Sequence, residues 1–272
     1  MRLRPLLAAF AASLLALVAS PASAGSGADL TGRAAPEITL QDGLNGAGAQ
    51  TTLASLRGKV VCLKFWLTHC PICQGTLPEF QAIHDRYGRS GVVCLGVVID
   101  NAEGVGPYLK SKGWSFPVGC DPDGRNASRY SVTRYPADYV IGVDGVVRAS
   151  NGFKREVIEE ELRKMRSAEL GTVPAGLEAV RDAVEDGDYG TALRQAEAAA
   201  KAAGAGADVV AFAQRLAGIA KVRQDNRFAR VDALVAAGKA IDARAEAERI
   251  LSDFKDTSLE ARAKQKLEGL AR

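Results

Sequence analysis

Cys70 and Cys73 stand two residues apart in the run Thr68-His69-Cys70-Pro71-Ile72-Cys73-Gln74. Two thiols at that spacing suit either metal binding or reversible disulfide chemistry. A structural zinc normally takes four N/S ligands, and the chain has only two histidines, His69 and His84. On a continuous helix His84 would lie roughly 16 Å from Cys73, at about 1.5 Å per residue. Haem attachment needs a histidine directly after the second cysteine, where Gln74 stands. Methionine is too scarce for a soft copper site, with Met1 and Met165 alone. Thiol-disulfide exchange is the chemistry these residues favour, with no metal and no cofactor expected.

The flanking sequence positions the pair. Val60 to Leu67 is an apolar, β-branched run that reads as a buried strand. It ends at the polar turn Thr68-His69. Cys70 then falls where a helix begins, and Pro71 fits its first turn because the missing N–H costs nothing there. A cysteine at a helix N-terminus faces unpaired N–H groups and the positive end of the dipole, both of which favour thiolate. Cys70 is therefore the expected attacking sulfur and Cys73 the resolving one. His69 could also tune Cys70, since an imidazole titrates near ambient pH. His84, with Phe80, Ile83 and Tyr87, follows helical spacing toward a core and is expected to be structural.

The pattern continues as α/β sequence. Val92–Ile99 reads as a central strand, followed by a helix over about 103–112 and a short strand that starts at Phe116-Pro117-Val118 and ends at Cys120-Asp121. A brief helix ends near Tyr130. Ala137–Gly142 and Val146–Ala149 form a hairpin around Asp144-Gly145, and a helix over about 154–168 follows. Ahead of the main strand, Ala35-Pro36-Glu37-Ile38-Thr39-Leu40 reads as an edge strand. Strands alternating with helices predict a mainly parallel central sheet sandwiched by helices. The five cysteines include Cys62 and Cys94 within apolar strands, expected to be buried small hydrophobes, and Cys120 beside a loop.

The 272 residues carry 35 basic and 32 acidic side chains, a net charge of +3, with nothing in the distribution that favours a nucleic-acid partner. Residues 1–24 begin with Arg2 and Arg4, continue with the apolar run Leu6–Val18 and end in Ala22-Ser23-Ala24. That is the form of a signal peptide cleaved after Ala24, with an uncleaved membrane anchor as the alternative. Export would place the protein in the periplasm, where disulfides persist.

Leu53-Ala54-Ser55-Leu56-Arg57-Gly58-Lys59, Phe65-Trp66, Cys70-x-x-Cys73, Leu77-Pro78, Asp121-Pro122-Asp123-Gly124 and Tyr135-Pro136 together resemble the TlpA/ResA-like branch of the thioredoxin superfamily. The likeness covers roughly residues 30–166. It implies a thioredoxin-like fold and an extracytoplasmic thiol-disulfide oxidoreductase. Such a protein would exchange with protein thiols and disulfides, more as reductant than oxidant, and draw on a membrane or periplasmic electron donor. It also implies a cis-proline at Pro136 facing the disulfide, with the Tyr135 backbone pairing with an extended substrate. Lys64 occupies the place where thioredoxins keep a buried acid, where it would either tune the thiols as a buried ammonium or reach solvent. The chain departs from the family in having His69 before the first cysteine, Pro71 after it rather than a proline before the second, and Ala137 after Pro136.

These readings divide the chain into a thioredoxin-like domain at 25–170, a linker at 171–176 and an all-α helical-hairpin domain at 177–272. The last part is alanine-rich and carries a weak repeat of period 51: Gly187 with Gly238, Ala192 with Ala243, Ala196 with Ala247, Glu197 with Glu248 and Leu216 with Leu267. It resembles tetratricopeptide-like hairpins, whose usual period is about 34. Two other functions compete with catalysis of exchange. One is an adaptor whose helical domain recruits a client to the thioredoxin-like domain. The other is a thiol peroxidase, which would want a Thr-x-x-Cys motif that Thr68 does not make.

Overall fold

The computed structural model describes residues 26–270, so the expected signal peptide lies outside the described residues. Six strands form one sheet: β1 (Asp42–Leu44), β2 (Val60–Trp66), β3 (Val92–Val98), β4 (Val118–Cys120), β5 (Ala137–Ile141) and β6 (Val147–Ser150). Their spatial order is β1-β4-β3-β2-β5-β6. β4, β3 and β2 run parallel, whereas β1 joins β4 and β5 joins β2 antiparallel, and β6 closes an antiparallel hairpin with β5. The sheet is thus mixed, where strand-helix alternation alone predicts a mainly parallel one. The difference lies in the flanks, because a tight turn at Asp144-Gly145 can only reverse the chain.

β2 is central and buried along its whole length. Its side chains alternate between faces. Val60, Cys62 and Trp66 enter one apolar cluster with residues of α1 (Pro71–Tyr87), α2 (Ala102–Lys112) and α4 (Arg155–Leu170). Val61, Leu63 and Phe65 enter another, closed by α3 (Arg125–Arg129) and the segment before β2. Trp66 can lie on the sheet only because position 96 is glycine: a Cβ there would sit 2.8 Å from the indole nitrogen.

Two local expectations are corrected. Residues 35–40 form no strand; the edge strand is β1, just beyond them. Ile38 and Leu40 are buried as an edge strand would require, but their stretch is held by side chains. The Ile38 N–H donates to Glu37 and the Thr39 N–H donates to Asn126 Oδ1 at 2.8 Å, while Asn126 Nδ2 donates back to the Thr39 carbonyl. Pro36 and Pro117 matter for the same reason. Each lacks an N–H for a ladder, so the strand expected from Phe116 to Cys120-Asp121 starts only at Val118 and ends at Cys120.

Beyond α4 the chain is helical: α5 (Glu178–Asp186), α6 (Tyr189–Lys201), α7 (Ala207–Ala236), α8 (Ala240–Asp253) and α9 (Glu260–Gly269). These helices share a separate apolar cluster. The period of 51 relates α6 to α8, and its alanines, Ala192, Ala196, Ala243 and Ala247, are all buried where those helices pack. Leu170, at the end of α4, is buried in this same cluster, so α4 packs into both cores. No helix among the described residues is long and apolar enough to cross a membrane.

Candidate active site

Cys70 is the N-cap of α1, with extended backbone, and Pro71 follows at the first helical position. The Cys73 backbone N–H donates to Cys70 Sγ at 3.2 Å. A sulfur thus takes the place of the oxygen that usually caps a helix. The turn ahead of it is anchored. Asp100 accepts from the Thr68 N–H and hydroxyl at 3.0 and 2.9 Å, and Gln74 Nε2 donates to the Thr68 carbonyl at 2.8 Å. Cys70 is half-buried and Cys73 is buried. Ile72, between them, is 67% exposed.

Burial pushes the Cys73 thiol up to about 12; its bond with Cys70 adds to the rise, and the nearby Lys64 charge opposes it. The Tyr135–Pro136 peptide bond is cis. The Tyr135 carbonyl lies 3.7 Å from Cys70 Sγ. Tyr135 and Pro136 are both partly exposed.

Lys64 does not reach solvent. It is 1% exposed, and its Nζ donates to Asp138 Oδ1 at 2.7 Å. The β2–β5 register places the two residues directly opposite, and the ammonium also lies 5.4 Å from the Phe153 ring centroid and 5.8 Å from that of Phe80. Burial raises the Asp138 carboxyl above the usual carboxylate range, outweighing the Lys64 charge and hydrogen bond. Asp138 is the residue that sequence reading missed. Its signal was one acid inside the apolar run Ala137–Ile141, matched by one base inside Val60–Trp66.

His69 is exposed and makes no side-chain hydrogen bond to a described residue. Cys120 is buried in β4, and burial raises its thiol. Among the described residues no group of three or more potential ligands could hold a metal ion.

The chain is similar to known proteins over roughly its N-terminal half. The AhpC/TSA family matches residues 31–150. The thiol-disulfide oxidoreductase ResA of Bacillus subtilis (strain 168) is 31% identical over 127 residues, which span 46% of this chain and 69% of that protein. ResA of Bacillus thuringiensis subsp. konkukian is 29% identical over 137 residues, spanning 49% and 78%. Among solved structures, a thiol:disulfide interchange protein of the thioredoxin family from Chlorobium tepidum TLS is 23% identical with a TM-score of 0.40, covering 50% of this chain and 98% of that one. On the strength of the match to the Bacillus subtilis protein, the chain belongs to the ResA-like thiol-disulfide oxidoreductases of the thioredoxin fold.

Proposed function

We propose that this oxidoreductase is exported and reduces protein disulfides through Cys70 and Cys73. The observation that carries the reading is the unequal pair. One sulfur is half-exposed and capped by an N–H, and the other is buried, with its thiol held far above neutrality.

In the forward direction Cys70 Sγ attacks one sulfur of a client disulfide. A Cys70–client bond forms, and the other client sulfur leaves and takes a proton. Cys73 then gives up its proton and attacks Cys70 Sγ. The Cys70–Cys73 bond forms and the second client thiol is released, so the client gains two electrons and the chain loses two. Lys64 favours the Cys73 thiolate required in this second step. An extended client segment pairs with the Tyr135 backbone next to cis-Pro136, so its disulfide is presented to Cys70. Ile72 offers that client an apolar contact.

A disulfide is strongly oxidising when its reduced form is stabilised, as a stable thiolate does. The test is a redox titration of the pair. A potential near about −270 mV bears out a reductant, and one near about −120 mV makes the protein an oxidant.

Selective alkylation checks the division of roles. In the reduced, folded protein at pH 7, iodoacetamide should modify Cys70 first and leave Cys73 untouched, because a thiol at about 12 is almost entirely protonated there. Equal labelling of both would remove the distinction.

The helical half is proposed as a separate unit after a linker at 171–176. Residues 171, 172, 175 and 176 are exposed, and exposed loops of this kind are where proteases cut. Limited proteolysis should cleave there and leave an N-terminal fragment that still reduces a model disulfide. The exposed end of α4, with Leu170 stripped of its cover, should make that fragment less stable than the whole chain. A fragment that unfolds and loses its disulfide chemistry would make the two halves one cooperative unit.

A further inference from the structure

We propose that Cys62 and Cys94 form a second redox-active dithiol, which hydrogen peroxide converts to a cross-strand disulfide with Cys94 as the attacking sulfur. The two residues are direct partners in the parallel β2–β3 register. Neighbouring strands lie about 4.8 Å apart, within the roughly 4.4–6.8 Å between Cα atoms that a disulfide spans. Both side chains point to the same face and enter the cluster under α1. Both are fully buried free thiols that the exchange at Cys70 and Cys73 does not use.

A third group completes the arrangement. His84 of α1 packs against this layer, and its Nδ1 is buried without a hydrogen-bond partner among the described residues. The groups facing Cys94 are the Cys62 thiol from β2, and His84 and Asp85 from α1. The neighbouring Cys62 thiol and His84 bring the Cys94 thiol down to about 7, against burial and the Asp85 charge. The neighbouring Cys94 thiol, with burial and the Asp138 charge, raises Cys62. Negative charge is therefore favoured on the Cys94 sulfur over the Cys62 sulfur.

The depth of the pair selects the oxidant. The Lys64–Gly96 layer and then the Trp66–Val98 layer lie between it and the Cys70 end of β2. Four strand residues make that separation about 13 Å, so no protein disulfide bound at Cys70 reaches it. Hydrogen peroxide is small enough to enter by local opening of the structure. The Cys94 thiolate attacks one peroxide oxygen and the O–O bond breaks. Sulfenic acid forms on Cys94, and the departing hydroxide takes up the proton that the Cys94 thiol had released. Cys62 then attacks the Cys94 sulfur; the S–S bond forms and a second water leaves with the Cys62 proton. Two thiols lose two electrons to one peroxide, giving one disulfide and two waters.

The experiment uses the full chain carrying Cys70→Ser, Cys73→Ser and Cys120→Ser, so its outcome does not depend on the exchange proposed for the other pair. It is treated with hydrogen peroxide while folded and followed by intact mass and peptide mapping. The expected product has lost two hydrogens and joins the Cys62 and Cys94 peptides. Its rate of formation should rise with pH around a midpoint near 7. His84→Gln should move that midpoint upward; a one-unit rise would cut the thiolate at pH 7 about fivefold. Adding Cys62→Ala should leave a single oxygen on Cys94, trapped by a sulfenic-acid reagent, with no cross-link. Absence of the Cys62–Cys94 link, its formation only after unfolding, or oxidation of Cys94 past sulfenic acid while Cys62 is present would each overturn the proposal. A pH profile unchanged by His84→Gln would do the same for the activation it assigns to the histidine.

Discussion

Replacing Cys70 with serine is expected to bring disulfide reduction down to the uncatalysed background while leaving the fold intact. Serine keeps an oxygen at the N-cap of α1, and serine is among the best N-capping residues. The bond from the Cys73 N–H therefore has an acceptor in the variant, and helix stability should change by less than about 1 kcal/mol. What disappears is the sulfur: a hydroxyl cannot form the mixed disulfide through which exchange passes. Cys73→Ser should behave differently. It keeps the first step and loses the second, so one equivalent of client is captured and turnover stops. The check is steady-state reduction of a model disulfide, with unfolding curves for both variants. Substantial turnover by Cys70→Ser would move the chemistry to another thiol.

Lys64→Met should cost the fold much of its stability. The substitution removes one partner of a buried pair and leaves Asp138 without its counter-charge. Breaking such a pair typically costs about 3–5 kcal/mol. Replacing both partners, Lys64→Met with Asp138→Leu, should recover most of that loss, because no uncompensated charge remains. The chemistry should suffer as well. Without the Lys64 charge the Cys73 thiolate loses an attraction, so resolution slows and the mixed disulfide lasts longer, even in the double variant that folds well.

The pH dependence gives this second prediction a sign. The Asp138 carboxyl is raised in the folded protein, whereas in the unfolded chain it ionises near 3.9. Between those two values the unfolded chain has lost the proton and the folded one keeps it. The group's contribution to stability is therefore full below about 4 and is lost as pH rises toward the folded value. Lys64→Met removes the lowering influence, so the loss should deepen and extend to higher pH. Denaturant unfolding of wild type and variant across this range measures it. A stability difference that does not vary with pH would show that Asp138 is not the group left stranded.

Much of the site could be read directly from neighbouring residues. The unbroken apolar run of β2, a polar turn, and Pro71 just after Cys70 are local signals, and strand, turn and helix appear where those signals fall. The helical character of the C-terminal half was legible for a related reason: small residues mark close helix packing, and Ala192, Ala196, Ala243 and Ala247 are all buried. Features that depend on register were not legible. Nothing near Lys64 in sequence tells that Asp138 stands opposite it, and nothing near Cys62 tells that Cys94 does. Residues 35–40 show a third limit. Burial of Ile38 and Leu40 looks the same whether their backbone pairs with a strand or, as here, with Glu37 and Asn126. The mixed sheet likewise depended on where β1 and the β5–β6 hairpin attach, which alternation of elements does not specify.

The central claim is that exchange passes through a covalent bond on Cys70 that Cys73 resolves. The most direct measurement is to mix the full-length Cys73→Ser variant with a disulfide-bonded protein and map the trapped adduct by peptide mass spectrometry. The account predicts one mixed disulfide per chain, on Cys70, released by a small reductant and absent when Cys70→Ser is added. An adduct on Cys62, Cys94 or Cys120, or none at all from a folded variant, would contradict it.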